Sequence, residues 1–422
     1  MRVLIVGNGG REHAIAWKIY NEGYKDLFCI PGNAGISEIA ECADIKVNEF
    51  DKIKDFCLEK GIDFVVVGPD NPLADGIVDY LESFGIKTFG PTKDAAMIES
   101  SKAFAKDLMK KYGIKTARYE VFTNYEDAYK FVNQTYKYPI VIKADGLALG
   151  KGVIIANNQQ EAVDALNLIM KEKVFGAAGN KVVIEDYLVG EEVSVFVVSD
   201  GRDIVPLTTA RDHKKAFDGD NGPNTGGMGA FSPSKLVNKD IFEDMLENIM
   251  LRAVYGMRKE GRPFKGVLYG GLILTEEGPK VLEFNARFGD PEAQAILPLM
   301  KSELMEIMVK AREGNLKGVE ARFEQEYSLC VVLASKGYPD KYDTGFEISG
   351  LENLDERTIV FHANTKKKNG KIKTAGGRVL NVVRKEKTLK EAKDKVYEEI
   401  KKIWFENMFY RNDIGDKEIE IE

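Results

Sequence analysis

Histidine and cysteine are scarce in this chain, and their scarcity narrows its chemistry. Only His13, His213 and His362 occur in 422 residues, far apart, which disfavours a zinc site built from histidines. The four cysteines, Cys29, Cys42, Cys57 and Cys330, form no C-x-x-C pair and no regular framework, so reduced thiols in a cytoplasmic protein are expected. Long apolar runs are missing as well: none approaches the ~18 residues of a membrane span. The opening M-R-V-L-I-V-G carries too short an apolar run for a signal peptide. A surplus of positive charge is also absent. The net charge of −7 and pI near 5.5 argue against bulk attraction to nucleic acid or to anionic membranes. No internal repeats or low-complexity segments stand out. With 44% hydrophobic and 30% charged residues the composition is that of a soluble globular protein, and the length predicts roughly three domains.

What is present centres on V-L-E-F-N-A-R-F-G-D-P-E, residues 281–292. As a strand, 281–287 would alternate faces, lining one with Glu283, Asn285 and Arg287 and sending Leu282 and Phe284 into a core. A carboxylate and an amide oxygen two residues apart are hard ligands suited to Mg²⁺ or Mn²⁺, with phosphate oxygens and water completing the shell. Arg287 adds a bidentate fork for a carboxylate or phosphoryl group. A half-buried strand with one wet face has the same alternation, so the rest of the chain must decide.

The N-terminal segment reads as a parallel α/β unit. Arg2–Val6 is a buried strand, followed by G-N-G-G-R-E-H-A and a helix through Tyr20. That order makes an anion site, but Glu12 replaces the third glycine of a dinucleotide fingerprint. Further strands are expected at Leu27–Ile30, Ile45–Val47, Phe64–Val67 and Lys87–Phe89. The G-P-D-N-P-L run, residues 68–73, then sits at a strand's C-terminal end, where ligands of such sheets bind.

A helix expected over 93–111 carries Lys102 near a turn. Beyond it, the runs 140–143 and 153–156 bracket a loop containing Gly146, Gly150, Lys151 and Gly152. Such a loop can close on phosphates with help from Lys143 and Lys151, although it lacks Walker A spacing. The segment Glu185, Asp186, Tyr187, Leu188 could offer backbone groups to an adenine edge, and Glu192 could bind ribose hydroxyls. Residues 208–233 show no periodicity; a substrate-covering loop is expected there. After a helix over 239–259, strands at 266–274 and 280–285 should pair through E-E-G-P. A third unit from about 326 would hold strands at 328–334 and 359–362, a lysine-rich solvated hairpin at 366–373, G-G-R-V-L at 376–380, and a helix from 389.

Together these motifs resemble the ATP-grasp ligases of the glycinamide ribonucleotide synthetase family. The resemblance runs end to end, through V-G-N-G-G-R-E-H-A, G-P-D-N-P-L, I-K-A-D-G-L-A-L-G-K-G-V, R-D-H-K, G-P-N-T-G-G-M-G-A, E-F-N-A-R-F-G-D-P-E and G-G-R-V-L. It implies three lobes: an N-terminal parallel α/β pre-ATP-grasp domain (1–101), an ATP-grasp domain in two parts (102–325, with a nucleotide-covering subdomain near 120–192), and a small C-terminal α+β domain (326–422). The implied reaction joins glycine to 5-phosphoribosylamine with ATP as co-substrate, in a cytoplasmic monomer without nucleic-acid partners. Another ATP-grasp carboxylate–amine ligase or carboxylase of purine metabolism is the alternative.

Carried over by motif, Glu283 and Asn285 hold Mg²⁺ or Mn²⁺. Lys102, Lys143, Gly146, Gly150, Lys151, Gly152, Glu185, Asp186, Tyr187, Leu188 and Glu192 form the ATP site. Arg287, Asp290, Asp212 and Lys214 are the catalytic candidates, and Gly9, Gly10, Gly226, Gly227, Gly376 and Arg378 join Asp212 and Arg287 around the substrates. Ala286 stands where many relatives carry Cys, and Tyr269-Gly270-Gly271-Leu272 brings no second metal carboxylate.

Overall fold

The computed structural model describes residues 1–135, 137–148 and 152–421. Gly150 and Lys151 lie outside them. The chain opens with a parallel sheet in the order Glu41–Cys42, Leu27–Pro31, Val3–Gly7, Phe64–Val67, Thr88–Phe89. Val3–Val6 are wholly buried, as a strand covered on both faces requires. The strand expected at Ile45–Val47 is absent. The edge strand is Glu41–Cys42, and Ile45 and Val47 pack instead as half-buried loop residues beside the core.

The helix expected over 93–111 is two helices, Lys93–Ser100 and Lys102–Lys111. Ser101 takes an extended backbone between them and its hydroxyl caps the second by accepting from the Phe104 amide at 3.2 Å. This break sets Lys102 at a helix start.

Two antiparallel sheets follow. The first, in the order Tyr119–Phe122, Val182–Asp186, Ile140–Ala144, Val153–Ala156, is a small lid with its own core, where Ile140, Ile142, Val182 and Ile184 meet Ala162, Leu166 and Ile169. The second, Ile204–Pro206, Glu191–Asp200, Lys265–Thr275, Gly278–Asn285, shares cores with the N-terminal sheet. The expected 266–274 and 280–285 pairing is present, one residue or two longer at the ends.

Residues 208–233 are not a structureless loop. They contain Arg211–Asp212, the hairpin Lys215–Phe217 with Asn221–Asn224, and Gly229–Ser232. Gly229–Ser232 pairs with Tyr327–Ser335, so the middle of the chain supplies a strand to the C-terminal sheet. That sheet continues through Arg378–Glu386 to Ile359–His362, with the helix Leu389–Ile400 packed on it. The lysine-rich segment forms the exposed hairpin Thr365–Lys368 with Lys371–Thr374, as expected.

Glu418 pins this arrangement. It is fully buried, accepts from Arg211 Nη1 at 2.7 Å and Ser234 Oγ at 3.0 Å, and also takes the Lys235 amide. Removing Glu418 leaves Arg211 only its pair with the more exposed Glu191 and strips the Ser234 hydroxyl and Lys235 amide of their acceptor. Glu418→Ala should therefore cost about 3 kcal/mol, read as a lower denaturant midpoint; an unchanged midpoint would show that the segment holds by strand pairing alone.

Candidate active site

Glu283 and Asn285 lie on Gly278–Asn285, opposite Gly271 and Tyr269 respectively. Between Gly271 and Leu272 the register slips, leaving Leu282 as an extra residue on its strand. Strict alternation therefore fails at Leu282, which is half-buried and turns its carbonyl to Lys143 Nζ at 3.0 Å. Phe284 enters the core as expected. Gly271 leaves room beside Glu283: a Cβ there would already touch its Cγ at 3.4 Å.

The Glu283 carboxylate has no hydrogen bond or ion pair among the described residues. Burial raises its pKa, but Lys214, Lys102, Lys143 and Arg287 together outweigh burial and hold it below the ordinary carboxylate value. The Asn285 amide nitrogen is buried without a partner, while its Oδ1 accepts from Arg287 Nη2 at 3.1 Å. An unengaged carboxylate beside an amide oxygen fits a divalent ion that arrives with phosphate. No cluster of three or more His, Cys, Asp or Glu among the described residues could hold one alone.

The lid meets this strand through lysines. Glu185 is buried and takes Lys106 at 2.8 Å on one oxygen and Lys143 at 3.0 Å on the other. Its side chain thus neutralises two cations. Lys143 Nζ donates to the Leu282 carbonyl and forms an ion pair with Glu185 Oε1, an oxygen that receives no hydrogen bond among the described residues. Lys102 donates to the Gly146 carbonyl at 2.9 Å, and burial lowers its pKa. Asp145 fastens the base of the lid, taking Ser101 Oγ at 3.1 Å, the Ala103 amide at 3.0 Å and Lys181 at 3.2 Å. Gly152 closes the loop's far side, its carbonyl accepting from Ala144 at 2.8 Å. Asp186 and Tyr187 are exposed and Leu188 half-buried in the connector that follows. Glu192 pairs with Lys214 at 2.8 Å, and Lys214 reaches Asp212 at 3.5 Å.

A second cluster forms around Asp290. Arg378 donates to the Asp290 carbonyl at 2.7 Å, to its carboxylate at 3.2 Å, and to the carbonyls of Gly226 at 2.8 Å and Gly227 at 3.3 Å. Three separated motifs thus meet at one guanidinium. Gly227 has φ +115°, and a Cβ there would strike Pro291 Cδ, so only glycine admits this approach. Gly9 and Gly10 lie beside the cluster. A Cβ at Gly9 would sit 3.2 Å from Asp290 Oδ2, and one at Gly10 would strike the Asn381 and Gln294 amides. Gly376 stands further back, packed on Asn364 with its carbonyl taken by Ser335 at 3.0 Å.

Glu12 explains why the glycine turn is no dinucleotide site. Its carboxylate folds back to accept the Gly9 amide at 2.6 Å, the one half of a capping box that a glycine N-cap allows, and fills the helix N-terminus from within. The Gly9 amide is therefore already engaged. Arg287 is likewise braced from the N-terminal unit, by Glu99 at 2.9 Å and Asp70 of the G-P-D-N-P-L run at 3.8 Å. Its Nε is buried without a partner. At position 286 the alanine amide donates to Glu99 at 2.7 Å, so no ligand depends on that side chain.

Sequence reasoning missed Lys106, Asp145, Glu99, Tyr269 and Glu292. Lys106 carries no motif in the sequence, yet it is 2% exposed, and burial pushes its pKa down to about 8. Glu292 stood in the quoted motif without a role. Buried beneath Gly289, it accepts from the Tyr269 hydroxyl at 2.9 Å, which also meets Ser194 Oγ at 2.9 Å.

A small antiparallel lid facing a second antiparallel sheet across lysines and an unengaged carboxylate defines an ATP-grasp ligase. Solved structures share this fold. The chain superposes with a TM-score of 0.73 at 16% identity on the biotin carboxylase domain of Hydrogenobacter thermophilus 2-oxoglutarate carboxylase in complex with MgADP, covering 97% of this chain and 91% of that one. The phosphoribosylamine–glycine ligase of Thermotoga maritima matches at a TM-score of 0.86 with 37% identity, over 98% of this chain and 100% of that one. In sequence, the phosphoribosylamine–glycine ligase of Caldanaerobacter subterraneus is 51% identical, over 98% of this chain and 99% of that protein. The human trifunctional purine biosynthetic protein adenosine-3 is 47% identical over 99% of this chain and 42% of its own length. Models of the phosphoribosylglycinamide synthetase N, ATP-grasp and C domains match residues 1–99, 100–293 and 328–417. The chain belongs to the phosphoribosylglycinamide synthetase family.

Burial, reinforced by Asp212, raises the Glu292 carboxyl from 4.5 to about 7. The folded protein then keeps a proton that the unfolded chain sheds between those values, so stability falls as pH rises through the window. Glu292→Gln removes that titration. Relative to the parent it should gain on the order of 3 kcal/mol between pH 4.5 and pH 8, read from denaturation midpoints. A pH-independent difference would contradict the burial argument.

Proposed function

We propose that this chain ligates glycine to 5-phosphoribosylamine, forming glycinamide ribonucleotide, ADP and phosphate, the second step of de novo purine synthesis. Family membership supports the reaction. The observation that carries it is that one motif bears two clusters: the unengaged Glu283 carboxylate among four cations, and Asp290 clamped by Arg378 to Gly226 and Gly227.

Glycine's carboxylate does not condense with an amine in water unless activated. Transfer of the γ-phosphoryl group of ATP to one carboxylate oxygen gives glycyl phosphate, and attack by the amine of the second substrate expels inorganic phosphate. Such transfer needs positioning and charge neutralisation rather than a nucleophilic side chain. Lys102 and Lys143 serve the ATP phosphates with the 146–152 loop, in which Gly150 and Lys151 belong to the same reading. Glu185, Asp186, Tyr187 and Leu188 border the base, and Glu192 the ribose. Glu283 and Asn285 hold Mg²⁺ or Mn²⁺, which neutralises phosphate charge when bound.

Lys214 and the spare Nε of Arg287 face the carboxylate of glycine, and Asp212 its ammonium. Asp290, Arg378, Gly226 and Gly227, with Gly9 and Gly10 nearby, shape the amine-substrate side, and Gly376 supports Arg378. The mixed anhydride hydrolyses readily, which makes a lid over the cleft necessary.

ADP release should require both glycine and freshly prepared phosphoribosylamine. Glu283→Gln should abolish it while circular dichroism stays unchanged. ADP release that ignores glycine, or a fully active Glu283→Gln at limiting Mg²⁺, would overturn the assignment.

A further inference from the structure

Three of the four thiols are buried; Cys42 alone is half-buried. It lies on the two-residue edge strand Glu41–Cys42, in register with Cys29 on the parallel neighbour Leu27–Pro31. Neighbouring strands run about 4.8 Å apart, inside the Cα separation a disulfide spans. Both side chains face the same core, Cys29 within it and Cys42 packed against it. Gly32 covers the pair: a Cβ there would strike Cys42 Sγ and lie 3.6 Å from Cys29 Cβ. The link to the site is direct. Cys29 Sγ donates to the Gly7 carbonyl at 3.2 Å, and Gly7 begins the turn that carries Gly9 and Gly10.

We propose that Cys29 and Cys42 form a reversible thiol–disulfide modification site that controls the Gly7–Gly10 turn. Cys42 Sγ, as the reachable sulfur, attacks one sulfur of a low-molecular-weight disulfide R–S–S–R. The R–S–S–R bond breaks, and the leaving thiolate takes up the proton that Cys42 lost. Cys29 Sγ then attacks the Cys42 sulfur of the mixed disulfide and expels the second thiolate, which receives the Cys29 proton. Two protein thiols are oxidised and one small disulfide is reduced to two thiols.

The neighbouring Cys29 thiol lowers the Cys42 pKa, which favours Cys42 as the attacking thiolate, while burial pushes Cys29 well up, as suits a resolving sulfur shielded until then. A disulfide has no S–H. Oxidation therefore deletes one of the two donors to the Gly7 carbonyl, leaving the Gly32 amide, and draws the edge strand toward the turn. Cys57, which burial holds at about 12, and the buried Cys330 have no such neighbour among the described residues.

The full-length protein is incubated with glutathione disulfide and digested under acid quench. The expected product lacks two hydrogen atoms and yields a Cys29–Cys42 linked peptide, while Cys57 and Cys330 stay alkylatable. Hydrogen exchange of the Gly9 and Gly10 amides should quicken, and dithiothreitol should reverse both changes. With the ligase reading of the site, the KM for phosphoribosylamine should rise about fivefold, the worth of one hydrogen bond, with little change for ATP. Cys42→Ser and Cys42→Ala should show none of these effects, and Cys57→Ser all of them. A glutathione adduct that persists on Cys42, or a linked peptide with unchanged exchange at the turn, would overturn the proposal. The mass and exchange results stand whether or not the substrate assignment does, so the two failures are distinguishable.

Discussion

Buried charge must be paired, and that constraint shapes the middle of this molecule. Lys102, Lys106, Lys143, Lys214 and Arg287 converge on a region where Glu185 is consumed by two of them and Glu283 by none. Such a collection is costly in a low-dielectric setting unless anions complete it. The phosphates of a nucleotide, brought with a divalent ion, have the charge that would do so. The family to which the chain belongs is one whose named members join an amine to glycine, and the charge arrangement accords with that chemistry.

The same pairing ties the three units together. Glu185, on the lid, grips Lys106, on the helix that precedes the lid's first strand, and Asp145 holds Ser101 and Ala103 across the same gap. Glu99 and Asp70 fix Arg287 from the N-terminal side. Arg378 comes from the C-terminal sheet to knit Asp290 to Gly226 and Gly227. No single unit holds a complete site. The lid keeps its own apolar core, whereas the N-terminal sheet and the second antiparallel sheet share theirs.

Legibility followed locality. The pairing of 266–274 with 280–285 and the orientation of Glu283 could be read because period-two alternation is a property of a few adjacent residues. Leu282 departs from it since the bulge opposite Gly271 and Leu272 depends on the partner strand. Gly229–Ser232 was unreadable as a strand: its composition suits a turn, and its partner lies about a hundred residues on, at Tyr327–Ser335. Ile45–Val47 has strand-forming residues but no sheet edge to join. Lys106 and Glu292 escaped notice because a charged side chain in a helix looks solvated until tertiary burial is known. Glu12 was the opposite case. One residue in the wrong place for a dinucleotide fingerprint proved to be a carboxylate that occupies the turn itself.

The central claim is that the cleft activates the carboxylate of glycine rather than its partner. Glycine labelled with ¹⁸O in the carboxylate tests it most directly, because the oxygen that bridges to the phosphoryl group leaves with it. Under coupled turnover with phosphoribosylamine and Mg²⁺, mass spectrometry of the inorganic phosphate should find one labelled oxygen per phosphate released. Unlabelled phosphate would contradict activation at glycine and would place the phosphoryl group on the sugar substrate or on water.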